Sequence, residues 1–231
     1  MKEKRIWILL GTGLAAAAGF VLRGWQARRG LVPGDVSVWC LGLLCAAAVI
    51  ALAAACRGLE KKEVYTESFS SGTAELAVSL AGAALVLAGS LLSLARGEER
   101  LVPGLGVLAA LCFGVTAWQR SRGAVPLYVF HAAPCLYLVV KLILEFKQWS
   151  VDPAVLDYCF DLFFAISAMC AVFHLGSFCF DKGQRRISVF WCLSCVVFAA
   201  VGLADGGLAR CLLLAGMGVW TGCSAWQLLE D

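Results

Sequence analysis

The chain has 231 residues, of which 61% are hydrophobic and 15% are charged, and its formal net charge is +3. Soluble domains average ~45–50% apolar and ~25% charged residues, so a water-soluble fold would have no core large enough for this apolar excess. The small net charge and the lack of a basic patch with interleaved aromatic residues argue against a nucleic-acid partner. The composition therefore predicts a single all-α transmembrane domain over residues 1–231, with the lipid bilayer as its partner.

Eight apolar stretches are long enough to cross a bilayer, whose hydrocarbon core requires ~17–25 residues of helix. Backbone N–H and C=O groups have no water partners in lipid, so each stretch is predicted to be helical. The predicted spans cover about residues 6–22, 36–56, 73–95, 101–118, 125–149, 153–180, 187–204 and 207–228. The first and the fourth are the weakest predictions, which leaves seven spans as an alternative.

The lysines and arginines of the loops and helix ends are unevenly divided between the two sides of the membrane. With eight spans, the side that holds both termini carries 11 of these residues and the other side carries 7. Cytoplasmic loops of membrane proteins are enriched in basic residues. Both termini are therefore predicted to be cytoplasmic, and the protein is predicted to be a multi-pass protein of the cell membrane.

The tetrapeptide Leu-Val-Pro-Gly occurs at residues 31–34 and again at 101–104, each time after a charged turn and at the start of an even-numbered span. Residues 150–153 and 203–206 form comparable turns before the other two even-numbered spans. This recurrence favours four helical hairpins that lie in the same orientation, and duplication of a hairpin is one explanation for it. The alternative is that unrelated short turns reuse proline, glycine and aspartate.

Ionisable side chains within a membrane are costly and usually face the protein interior, so they are candidates for a functional site. Lys141 and Glu145 of the fifth span are four residues apart, as are Asp157 and Asp161 of the sixth, so each pair shares a helix face. Tyr137 extends the first of these faces. We predict that these five residues converge as a ligand-binding cluster between the two spans.

The predicted turn between these spans supports that convergence. Asp152 followed by Pro153 is a typical helix start, with the aspartate as N-cap and the proline at the first helical position. A hairpin folded at this point brings the two charged pairs to the same depth in the membrane.

The charge of the predicted cluster indicates what it would bind. Three carboxylates and one ammonium group carry a net charge of −2 when all are ionised, which suits a small cationic solute, an amine or a proton. The alternative is a structural ion pair between Lys141 and Asp161, with Glu145 and Asp157 as hydrated helix ends.

His131 and His174 form a second, inner polar level, and Asp181 follows seven residues after His174 on nearly the same predicted face. A proton path from the carboxylates along the sixth span is disfavoured. The rotation from Asp161 to His174 around an ideal helix is about 220°, so the two side chains point away from each other. The favoured interpretation is two separate histidines that bond to backbone carbonyls.

Two further patterns receive structural interpretations. The 12 cysteines lie mostly in apolar spans, and the single CxxC at Cys192 and Cys195 lacks a second ligand pair, so we predict no metal and no cofactor. Gly218 and Gly222 form a GxxxG pattern, which lets helices approach closely in lipid. Packing within the chain is favoured over a homo-oligomer through these glycines.

Three classes of function remain open. The favoured one is a small transporter or a solute-binding membrane component that uses the charged cluster. A structural or regulatory membrane subunit would have no ligand of its own, and an intramembrane enzyme would use the carboxylates as acid and base. The sequence contains no phosphate-binding glycine loop or hydrolase motif, so no catalytic residue is assigned. A charged pocket open to the outside would separate the first class from the second.

Overall fold

The computed structural model describes residues 2–29, 36–69, 72–97, 100–149 and 155–230, without the side chains of residues 2, 4, 67, 148, 149 and 155–158. Eight long helices make up most of this part of the chain. They are α1 (Lys2–Arg29), α2 (Val36–Arg57), α3 (Thr73–Ala95), α4 (Leu101–Ser121), α5 (Val129–Trp149), α6 (Val155–Ser177), α7 (Arg185–Gly202) and α8 (Leu208–Leu229). A one-turn helix, Tyr65–Ser68, and a 3-10 turn, Phe178–Phe180, complete the described elements.

The structure confirms the predicted fold class. Each of the eight helices contains an apolar segment long enough to cross a membrane, and the described residues include no strand. The prediction of eight spans is therefore preferred over seven. The protein is a multi-pass helical membrane protein.

The predicted bounds of the first span are too short. Arg23, Arg28 and Arg29 were assigned to a loop, but α1 continues through all three and ends at Arg29. Arg23 is only 3% exposed, and its charge is neutralised by an ion pair with Asp205. A charge that is neutralised by a distant partner does not end a helix, and a hydropathy pattern cannot reveal that partner.

The helices form a ring with an attached hairpin. Each of the six helices from α3 to α8 packs against the next, and α3 packs against α8 to close the ring. The α1–α2 hairpin lies outside this ring and packs against α7. Consecutive helices pair as predicted, but the first hairpin occupies a different environment from the other three. The first Leu-Val-Pro-Gly copy lies outside the described residues.

The contact between α3 and α8 depends on glycine. A Cβ atom added to Gly216 would lie 2.7 Å from the Gly82 carbonyl oxygen and 2.7 Å from the Val86 amide nitrogen. A Cβ added to Gly82 would lie 2.9 Å from the Gly216 carbonyl oxygen. Only residues without a side chain permit two backbones to approach this closely.

The GxxxG glycines pack within the chain, as favoured from the sequence. A Cβ atom at Gly218 would contact the Ala199 Cβ at 3.3 Å, and one at Gly222 would contact the Val196 Cγ2 at 3.4 Å. Both neighbours belong to α7. These glycines therefore face a neighbouring helix of the same chain.

The two ends of the bundle are defined by contacts between distant parts of the sequence. At the end of the bundle where both chain termini lie (the terminal end), Arg5 forms a 2.9 Å ion pair with Glu230. At the same end, the Gly183 amide donates to the Glu63 carbonyl. At the opposite end, the Arg23 Nη2 lies 2.5 Å from the Asp205 Oδ2. Both termini and the loop that follows α6 therefore share one end.

A buried arginine organises the terminal end. Arg120 is 2% exposed and donates to the Tyr65 hydroxyl at 3.1 Å and the Ser224 hydroxyl at 2.9 Å. Its guanidinium carbon lies 4.3 Å from the centre of the Phe69 ring. Burial raises the pKa of the Tyr65 phenol, and nearby Arg120 opposes that shift. Arg120 therefore connects the loop that follows α2 to the ring of helices.

The orientation stays a prediction with a direct test. If the terminal end is cytoplasmic, a Gln184→Cys variant should resist a membrane-impermeant maleimide in intact cells and react after permeabilisation. Gln184 is exposed in the loop before α7, so protein packing will not block the reagent. The unsubstituted protein controls for labelling of its own cysteines. Equal labelling of intact and permeabilised cells would reverse the orientation.

Candidate functional site

A polar cavity of about 300 Å³ lies among α3, α5, α6 and α8 at the opposite end of the bundle. Its charged and polar lining includes four of the five residues predicted to converge, namely Tyr137, Lys141, Glu145 and Asp161. The side chain of Asp157 and the whole of Asp152 lie outside the described part of the structure. The structure thus brings together every member of the predicted cluster whose side chain it describes.

The ion pairs in this cavity differ from the predicted one. The Lys141 ammonium pairs with Glu145 on the same helix rather than with Asp161. Asp161 Oδ1 instead accepts hydrogen bonds from Arg210, at 2.6 Å from Nη2 and 3.2 Å from Nε. The structure therefore does not contain the alternative ion pair between Lys141 and Asp161, because Asp161 pairs with Arg210 of α8.

Arg210 connects the cavity to a longer chain of charges. Its Nη2 also lies 3.5 Å from Asp205 Oδ1, and Asp205 Oδ2 accepts from Arg23 Nε at 2.8 Å. The chain therefore runs from Asp161 through Arg210 and Asp205 to Arg23, across α6, α8 and α1. Such a network connects three helices at the end of the bundle that lies opposite the termini.

Two groups in the cavity are not engaged by this network. Arg96 lines the cavity, and none of the ion pairs among the described side chains involves it. Glu145 Oε2 is buried and has no hydrogen-bond partner among the described residues. The cavity therefore presents a guanidinium donor and a carboxylate acceptor that are both available to a ligand.

The net charge of the cavity lining differs from the −2 that the sequence predicted for three carboxylates and one ammonium group. Among the described residues, the cavity is lined by three basic side chains, Arg96, Lys141 and Arg210, and two acidic ones, Glu145 and Asp161. This balance does not single out a cation. It suits a solute that carries charges of both signs.

The predicted inner polar level is not assembled. His131 is 1% exposed and its Nδ1 lies 3.8 Å from the Cys179 Sγ, whereas His174 stacks edge-on against Phe173 with ring centres 5.5 Å apart. The α6 helix ends at Ser177, so Asp181 does not continue the His174 face. Asp181 instead accepts from the Tyr65 amide at 3.3 Å at the terminal end.

The His131 environment also differs from the expected carbonyl bond. Its Nε2 is buried and has no hydrogen-bond partner among the described residues. Separate placement of the two histidines agrees with the favoured interpretation, but the carbonyl partner is not present for His131 in the described structure. No group of three or more metal-ligating side chains is found among the described residues.

The rearranged ion pairs predict which residues are energetically coupled. In a double-mutant cycle, Asp161→Asn and Arg210→Gln should show a coupling of about 0.5 kcal/mol or more in unfolding free energy. We expect the low end of the usual range because the Arg210 side chain is 36% exposed and solvent screens the pair. Thermal unfolding in detergent measures it. As a control, the effects of Asp161→Asn and Arg100→Ala on the unfolding free energy should be additive. An equally large coupling in this control would contradict the ion pair between Asp161 and Arg210.

Comparisons with protein-family models, curated proteins and solved structures find no match for this chain.

Proposed function

We propose that the protein binds a small zwitterionic solute in the cavity at the opposite end and acts as a small transporter or a solute-binding membrane component. The observation that carries this proposal is that, among the described residues, the Arg96 guanidinium at this cavity has no ion-pair partner and the Glu145 Oε2 has no hydrogen-bond partner. Arg96 would bind a solute carboxylate, and Glu145 Oε2 would accept a hydrogen bond from a solute ammonium group.

The size of the cavity limits the solute. Small-molecule sites in proteins have volumes of ~300–1,000 Å³, and this cavity, at about 300 Å³, lies at the lower limit. A free amino acid or a compound of similar size fits that volume.

The charges support a zwitterion over the cation, amine or proton favoured by the sequence. A lone cation would meet Glu145 but would also lie beside Arg96, Lys141 and Arg210. A lone anion would meet Arg96 and leave the buried Glu145 oxygen without a donor, which is costly at low dielectric. A solute with both charges satisfies both groups.

A structural or regulatory subunit is the second candidate. It is favoured by the pairing of Lys141 with Glu145 and of Asp161 with Arg210, which leaves most of the cavity charge neutralised without a ligand. The two candidates differ in one respect: only the first predicts that a solute stabilises the protein.

Thermal unfolding with a panel of free amino acids tests the proposal. A ligand at ~100 times its dissociation constant adds ~2.7 kcal/mol of stability, so at least one compound should raise the unfolding midpoint of the detergent-solubilised protein. Arg96→Ala should lose that increase. Arg100→Ala, which alters an exposed arginine four residues away, should keep it.

The outcomes separate the alternatives. Retention of the full increase by Arg96→Ala would overturn the assigned site, and no stabilisation by any compound would favour the structural subunit. Uptake of the stabilising compound by proteoliposomes would identify a transporter. Binding without uptake would identify a solute-binding component.

A further inference from the structure

A second and larger cavity lies on the other side of α6 from the polar one. This groove has a volume of about 820 Å³ and lies between α2 on one side and α6 and α7 on the other. Its lining is almost entirely apolar and includes Trp39, Leu43, Ile50, Phe163 and Phe198. The groove is therefore distinct from the site of the proposed function.

The groove opens sideways out of the protein. The lining residues Trp39, Leu43 and Ile50 are 69%, 68% and 68% exposed, and all three belong to a membrane-spanning helix. At this depth the surroundings are hydrocarbon rather than water. Water gains no hydrogen bonds in an apolar groove of this kind, so an apolar occupant fills it.

The length of the groove matches one leaflet. Trp39 and Ile50 are 11 residues apart on α2, which corresponds to about 16 Å at ~1.5 Å per residue. A leaflet provides about half of the ~30 Å hydrocarbon thickness. The groove thus runs from the opposite end to about the middle of the membrane, which is the depth that a lipid acyl chain reaches.

The groove has a polar mouth at the level of the lipid head groups. Arg23 and Gln26 line it at the opposite end. Gln26 is 3% exposed, and its Nε2 donates to the Ser37 carbonyl at 2.7 Å. Its Oε1 is buried and has no hydrogen-bond partner among the described residues. This acceptor would be satisfied if the occupant of the groove supplied a donor.

We propose that the groove binds a phospholipid whose acyl chain lies along α2 and whose head group donates a hydrogen bond to Gln26 Oε1. Phosphatidylethanolamine has such a donor in its ammonium group, whereas phosphatidylcholine has none. The same apolar wall would accept a helix of a second copy of the chain, but the membrane-spanning helices of this chain have 18–25 residues and are about twice as long as the groove. The phospholipid is therefore the occupant that satisfies both parts of the site.

A matched pair of glycine variants tests the proposal. A Cβ atom at Gly42 or at Gly13 meets no atom within 4 Å, so a side chain can begin at either position without a clash. Gly42 lines the groove, whereas Gly13 is exposed on α1 outside it. Gly42→Trp should lose the phospholipid that copurifies with the wild-type protein in detergent, and Gly13→Trp should retain it.

Rebinding then tests the head group. Wild-type protein stripped of lipid should take up phosphatidylethanolamine in preference to phosphatidylcholine with the same acyl chains, and Gly42→Trp should take up neither. Equal uptake of the two lipids, or unchanged lipid in Gly42→Trp, would overturn the proposal. A wild-type dimer that Gly42→Trp converts to a monomer would show that a second copy occupies the groove instead.

Discussion

Replacing Gly216 with alanine should destabilise the protein by about 3 kcal/mol, the upper end of the range for overpacking. The added Cβ would lie 2.7 Å from backbone atoms of Gly82 and Val86. Backbone cannot rotate away as a side chain can, so α3 and α8 must separate. These two helices close the ring, so their separation weakens the whole bundle.

Gly222→Ala is the matched control on the same helix. Its Cβ meets the Val196 Cγ2 at 3.4 Å, an ordinary contact distance. Alanine is favoured over glycine inside a helix by ~0.5–1 kcal/mol, so this variant should be neutral or slightly more stable. Thermal unfolding of both variants in detergent gives the comparison, and equal effects of the two substitutions would contradict the proposed closure of the ring.

Arg120→Ala should have a comparable effect at the terminal end, with a loss of about 3 kcal/mol, because buried polar partners left without their donor cost ~1–3 kcal/mol and the vacated volume adds the cost of a cavity. The substitution removes the hydrogen bonds that Arg120 donates to the hydroxyl groups of Ser224 and Tyr65. It also leaves a cavity between the rings of Phe69 and Trp220, which the guanidinium now occupies. The loop that follows α2 should detach and become sensitive to protease.

Two other arginine substitutions serve as controls for Arg120→Ala. Arg122→Ala alters an exposed residue of the same turn that stacks on Trp118 at 4.1 Å, so the change in stability should stay below about 0.5 kcal/mol. Arg120→Lys keeps the positive charge but loses the planar fork that reaches several partners, so it should restore only part of the loss. If Arg120→Ala unfolds like Arg122→Ala, the loop is held by other contacts.

Most of the fold could be predicted from hydropathy because membrane thickness sets helix length directly. The eight spans required no knowledge of which helices touch. The first span was underestimated because Arg23 looked like a loop residue, while its partner Asp205 lies 182 positions away. The bounds of a helix can therefore depend on a contact that no local pattern encodes.

The candidate site was predictable in part. The four-residue spacing of Lys141 and Glu145 placed both on one helix face, and the cavity contains both. Arg210 and Arg96 were missed because each lies at the end of a span and was counted only toward orientation. Helix rotation decides whether such a residue turns into the bundle, and the sequence of one helix does not fix its rotation.

Glycine packing shows the same distinction. The GxxxG pattern at Gly218 and Gly222 was visible from its spacing, yet the contact between α3 and α8 depends on Gly82 and Gly216, which lie on two different helices. A pair of single glycines has no spacing to recognise. Their effect arises only where two helices cross.

Selectivity among three related ligands is the most direct measure of zwitterion binding in the polar cavity. The ligands are a stabilising amino acid, its methyl ester, which lacks the carboxylate charge, and its deaminated acid, which lacks the ammonium. The wild-type protein should bind the amino acid most tightly in an equilibrium titration. Arg96→Ala should lose its preference over the ester, and Glu145→Gln its preference over the acid. Equal affinity of the wild-type protein for all three ligands would contradict the proposed roles of both residues.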